Sequence, residues 1–164
     1  MTDYVSLARD VLKSYADIQI NLSATQRELE EAERDYKDEL AISAKTTSYD
    51  ATTGGASGSH SSPVENYYFK REKVRNRLDR LRREERELRA AQSCIDNALN
   101  NFPETDRGIL LMHFCYGKTW VELANEFNMT PKWASIRGNG LLTRFALNLF
   151  ASKERVVDFH KIVG

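Results

Sequence analysis

Two apolar seams with heptad spacing set the fold class of this chain. The first runs Ala8, Val11, Tyr15, Ile18, Leu22, Thr25, Leu29, Ala32 and Tyr36, in steps that alternate three and four. The second runs Val64, Tyr67, Val74, Leu78, Leu81, Leu88, Ile95 and Leu99, with Arg71, Glu85 and Gln92 in the remaining places. A stripe at that interval lies along one side of an α-helix, whereas a strand would alternate. At about 1.5 Å per residue each helix reaches roughly 50–60 Å. So narrow a stripe cannot stabilise an isolated helix, so each needs a partner.

Charge indicates the partner. Glu28, Glu30, Glu31, Glu33, Asp35, Asp38 and Glu39 make the end of the first helix acidic. Lys70, Arg71, Lys73, Arg75, Arg77, Arg80, Arg82 and Arg83 make the start of the second basic. An antiparallel hairpin sets these regions side by side, where flanking charges help choose orientation. The basic run is therefore read first as facing acid or solvent, with a DNA-backbone role for its outward arginines second. Between the helices, residues 45–62 are Ser/Thr/Gly-rich and almost without aliphatic side chains, the composition of a flexible linker. Gly54, Gly55 and Gly58 lack the Lys-Ser/Thr that would complete a phosphate loop. His60 has no cysteine or acidic cluster near it to make a metal site.

Bulk composition excludes little. The chain of 164 residues carries 24 basic and 24 acidic side chains, a balance that names no partner because steering depends on local fields. No apolar run approaches the ~20 residues of a membrane span, and the first twelve residues hold no signal-peptide core. Cys94 and Cys115 share no metal or redox spacing, so they read as buried reduced thiols of a cytoplasmic protein. With three prolines and clustered glycines, the whole chain reads as all-α.

Pro103 ends the heptad region and starts a different arrangement. Thr105 or Asp106 can cap a helix that carries Ile109, Leu110, Met112, His113 and Phe114, with Gly117 ending it. Thr119 with Glu122 makes a capping box, and Leu123, Ala124 and Phe127 form one apolar face. Asn128 suits a left-handed turn residue, and Met129 plugs that turn into the core. Thr130 is a good N-cap, and Pro131 fits the first helical position. The last long helix, 131–150, carries Trp133, Ala134, Leu141, Leu142, Phe145, Leu149 and Phe150 as its apolar positions. Gly138 and Gly140 interrupt it, each costing about 1 kcal/mol relative to Ala.

Helix, tight turn, helix is the order of a helix-turn-helix. The expected architecture is thus a long antiparallel helical hairpin (coiled coil) over 1–100, then a small helix-turn-helix domain over 101–150. A tail over 151–164 follows, with Val156, Val157, Phe159 and Ile162 suggesting a short helix. Near the start of the last helix, Lys132, Ser135, Arg137 and Asn139 are candidates for base contacts, arginine suiting guanine and asparagine adenine. Lys118, Thr119, Thr130, Trp133 and Arg144 are candidates for phosphate contacts, which position without specifying sequence. A solvated face is the competing reading for each polar residue, and core for each tryptophan, more strongly for Trp120 than for Trp133. His113 reads as a core-edge histidine and His160 as a surface one. No catalytic arrangement is indicated, and no metal or cofactor is expected.

The Phe102-Pro103-Glu104-Thr105-Asp106-Arg107 stretch, then Leu110-Leu111, Phe114 and Lys118 to Ala124, resembles the sigma-factor region-four type of helix-turn-helix. More narrowly it is similar to the phage-encoded sigma-like regulators of Gram-positive hosts, the ArpU and RinA type of late-gene activator. Residues 136–142 are similar to that group's recognition-helix end. The resemblance covers the last third by motif and the rest by architecture. It implies a non-enzymatic transcription regulator that binds double-stranded DNA in the bacterial cytoplasm. Host RNA polymerase and a second copy of the chain, held through the hairpin, are the further partners it suggests. A DNA-packaging subunit similar to a small terminase, and a protein-interaction adaptor that does not bind DNA, are the alternatives.

Overall fold

The computed structural model describes residues 4–46, 63–151, 159 and 161, and among them every regular element is helical. The order is α1 (Tyr4–Lys13), α2 (Tyr15–Thr46), α3 (Pro63–Asn100), α4 (Glu104–Leu110), a π-helical turn (Leu111–Cys115), α5 (Trp120–Glu126) and α6 (Pro131–Phe150). The expected linker begins two residues late, because α2 carries through Lys45 and Thr46; the rest of it lies outside the described residues. So do His60, His160, Val156, Val157 and Ile162.

The chain divides into two compact units, Met1–Leu22 with Glu87–Gly164, and Ser23–Arg86. That division differs from the boundary expected at residue 101. Apolar burial accounts for it. Ala8, Val11, Leu12, Tyr15 and Ile18 share one core with Ala91, Cys94, Ile95, Ala98, Leu99 and Phe102, and that core continues through Ile109, Leu110, Phe114, Leu141, Leu142, Phe145, Ala146 and Leu149. The base of both heptad seams is thus needed to cover the carboxy-terminal helices, which have too few residues to enclose a core by themselves.

Within this first unit α1 packs along α6. Tyr4 meets Phe150, ring centroids 5.4 Å apart, at one end. Arg9 and Lys13 share a cleft with Asn139 nearer the other, so the two helices run antiparallel. Hydrogen bonds from Ser14 N to Asp10 O and from Ile18 N to Ser14 O carry the α-helical pattern across the α1–α2 junction. Tyr15 buries its ring there and donates its hydroxyl to Asp96 of α3. Phe159, the one described core residue of the tail, is buried and meets Phe150 edge-on.

In the second unit Ala32, Leu78 and Leu81 are buried, with Leu29 and Tyr36 against them. Thr25, the polar seam position, is buried as well. Arg82 pairs with Glu33 at 3.0 Å, Arg77 with Asp35 at 4.0 Å, and Tyr67 donates to the carbonyl of Glu39 at 3.3 Å. Numbers along α3 fall as those along α2 rise. Such exposed pairs stabilise by about 0–1 kcal/mol each, so the alignment rests mainly on the apolar seam.

Candidate nucleic-acid interface

The segment from His113 to Phe150 is built from local signals that fold as their chemistry dictates. The π-helical turn closes with Tyr116 N donating to Leu111 O at 3.0 Å, and Gly117 then adopts φ 71°, the left-handed conformation that favours glycine. Thr119 caps α5: its hydroxyl accepts from Glu122 N at 3.3 Å, while its own N–H and hydroxyl donate to the Glu122 carboxylate, each at 2.7 Å. Those bonds hold the Glu122 carboxyl below its usual range, the backbone N–H contributing most and the hydroxyl next.

Asn128 sits at φ 53°, alone in the left-handed region among described non-glycine residues, and lets Met129 N reach back to Ala124 O at 2.9 Å. That six-to-one bond is the Schellman closure of a helix end. Thr130 accepts from Trp133 N, and Pro131 opens α6. Pro103, not Thr105 or Asp106, occupies the cap position of α4, and no side-chain hydrogen bond caps it. Thr105 is exposed, and Asp106 turns inward for a different purpose.

That purpose is Arg137. Its Nε and one terminal nitrogen donate to a single Asp106 oxygen at 2.9 and 2.6 Å, and its guanidinium lies 5.0 Å from the Trp133 ring centroid. Asp106 is buried, so the pair ties α4 to α6. Arg137, expected at the base edges, is therefore a structural cation here, because a buried carboxylate claims it before any ligand arrives. Residues 31 apart in sequence leave no local signal of such a pairing.

The other expected contacts fall on two kinds of ground. Lys132 is exposed, without a polar partner among the described residues. Ser135 is half-buried, and Asn139 donates to its carbonyl at 2.9 Å while remaining exposed. Lys118 is held by Glu126 at 2.7 Å. The hydroxyl of Thr119 is committed to its capping box, whereas Thr130 accepts one bond and keeps a hydrogen to donate. Trp133 is half-exposed, and Arg144 lies over the Phe102 ring at 5.5 Å.

Together the outward face of α6 presents Lys132, Trp133, Ile136, Asn139, Gly140 and Thr143, all exposed. Its inward face buries Ala134, Gly138, Leu141, Leu142 and Phe145. Gly138 is inward because Trp120 occupies the space where a side chain would be; Gly140 faces outward with nothing within 4 Å of a Cβ position. Trp120 stacks on His113, ring centroids 3.5 Å apart, and His113 Nδ1 meets Lys118 O at 2.7 Å. A carbonyl only accepts, so this bond places a proton on Nδ1. Trp120 thereby joins the core edge, as its spacing suggested, and His113 holds it there.

Cys115 is half-buried and Cys94 buried, both as free thiols, and burial pushes the Cys115 thiol up. Among the described residues no group of His, Cys, Asp and Glu is placed to hold a metal ion, and no helix is long and apolar enough to cross a membrane. No family model, curated protein or solved structure matches the chain.

Proposed function

We propose that this chain is a non-enzymatic, sequence-specific DNA-binding transcription regulator of phage or prophage origin, a late-gene activator. In this reading α5, its connection and α6 work as a helix-turn-helix, with α6 in the major groove. The carrying observation is the outward face of α6: it begins at a capped, proline-initiated end and is open from Lys132 to Thr143, while its opposite face is locked to the core. Lys132, Ser135 and Asn139 are the polar groups for base edges, and exposed Ile136 suits a thymine methyl. Thr130, Trp133 and Arg144 flank them as phosphate contacts, while Lys118 and Thr119 are held by Glu126 and Glu122. The α2–α3 pair serves as a hairpin that joins a second copy or docks host RNA polymerase.

A second reading draws on one observation. Trp133, Ile136 and Leu147 expose apolar surface along α6, and two of the cations over 118–144 are already neutralised, Lys118 by Glu126 and Arg137 by Asp106. Such a face also suits a protein partner, as in an adaptor.

Salt-titrated binding to promoter-length duplexes separates the two. A regulator binds at low salt with a steep negative salt slope and prefers particular genomic fragments in a selection. Absence of binding at low salt overturns the DNA reading in favour of the adaptor. Solution mass, taken alongside, gives a small oligomer for a regulator and a large ring for a packaging subunit.

A further inference from the structure

The sequence assigns the amino-terminal helix to the heptad seam, and nothing in its composition connects it with DNA. The fold gives it a second face. Arg9 and Lys13 stand one turn apart on the exposed side of α1, while Ala8, Val11 and Leu12 bury the other side against the core. Because α1 runs antiparallel to α6, these two cations come toward the half of α6 that carries Asn139 rather than toward its end at Phe150. Arg9, Lys13 and Asn139 line one open cleft of about 420 Å³, floored by His113, Phe114 and Trp120.

The chemistry of this cleft is that of an anion site. Arg9 has no polar partner among the described residues, and its guanidinium offers several N–H donors. Lys13 is shared with Asp10 at 3.2 Å in an exposed pair one turn apart, a contact weak enough to yield to a stronger anion. Asn139 borders the cleft from α6, its amide donating to Ser135. Resting on the DNA-binding reading, we propose that Arg9 and Lys13 clamp a backbone phosphate of the DNA beside α6. The clamp supplies two cations to a surface whose own Lys118 and Arg137 are engaged elsewhere. It also couples the amino-terminal helix to the position of α6 in the groove.

The test compares the full chain with its Arg9→Gln, Lys13→Gln double variant on the selected duplex and on a random-sequence duplex. Both side chains are exposed, so the melting curve should be unchanged. The clamp predicts a salt slope shallower by about 1, since one neutralised phosphate contributes about 0.9, with equal weakening on both duplexes. Arg9→Lys should retain most of the slope. An unchanged slope in the double variant, with wild-type binding intact, overturns the clamp and leaves the regulator reading standing. If the wild type binds neither duplex, the regulator reading fails, and a titration with inorganic phosphate decides the cleft. Stabilisation of the wild type but not the variant would then assign the cleft to free phosphate rather than DNA; no stabilisation of either would overturn it.

Discussion

Gly138 lies so close to the indole of Trp120 that a Cβ built on it would fall 2.3 Å from Cη2 and 2.5 Å from Cζ3. Trp120 is itself pinned by its stack on His113, so the ring has no easy retreat. The glycine sets how near α6 comes to α5. Gly138→Ala should therefore destabilise: overpacking costs about 1–3 kcal/mol, against about 1 kcal/mol returned by helix propensity. Gly140→Ala, two residues on and facing open space, should stabilise by up to about 1 kcal/mol. Urea unfolding of both variants checks this. Shifts of the same sign would show that Trp120 does not define the packing.

Arg137→Ala should act on stability rather than on base preference. It leaves the buried Asp106 carboxylate without its cation, a loss that costs about 3–5 kcal/mol for a fully buried pair and less here, where Arg137 is partly exposed. Asp106→Asn with Arg137→Met should recover part of the loss by removing both charges. At temperatures where the single variant is folded, its ranking of DNA sequences should match that of the wild type. A changed ranking would return Arg137 to the groove.

The capping box makes stability depend on acid. Glu122 has a folded-state pKa below its ordinary 4.5, so its contribution is present in full above that value. It is lost as pH falls through the lower folded value, because the unfolded chain takes up the proton first. Glu122→Gln should remove this part of the acid sensitivity, and Thr119→Ala should cost about 1 kcal/mol at neutral pH. Thermal melts between pH 3 and 7, as an approximate working range, follow both effects.

At the alkaline side Tyr15 sets the limit. Burial, and then its hydrogen bond to Asp96, pushes the hydroxyl up from its ordinary 10.0. A raised folded value means stability is whole below pH 10.0 and declines above it, as the unfolded chain releases a proton the folded chain keeps. Tyr15→Phe should flatten that decline. It should also cost about 1–2 kcal/mol at neutral pH by leaving Asp96 without its donor. An unaltered alkaline limb would locate the sensitivity elsewhere.

Much of this architecture is written locally. Every described position of both heptad seams is buried or half-buried, from Ala8 to Tyr36 and from Tyr67 to Leu99. Period alone places them, since a stripe repeating every three and four residues has one side on which to lie. Gly117, Asn128, Thr130 and Pro131 likewise take the conformations their own chemistry prefers. The exposure of Lys132 and Asn139 was legible in the same way, on one side of a helix with a marked start.

Other features had no local trace. Asp106 looks like a helix cap until α6 brings Arg137 across to it; Gly138 looks like a flaw in a helix until Trp120 fills its place. Nothing local to Arg9 and Lys13 marks them until the fold lays α1 along α6. The sequence by itself determined that the described segments are helical and which side of each is apolar, because these follow from interactions within a few residues. Only the tertiary structure decided which charges are already spoken for and which remain open, because a charge is neutralised by whatever the fold places opposite it.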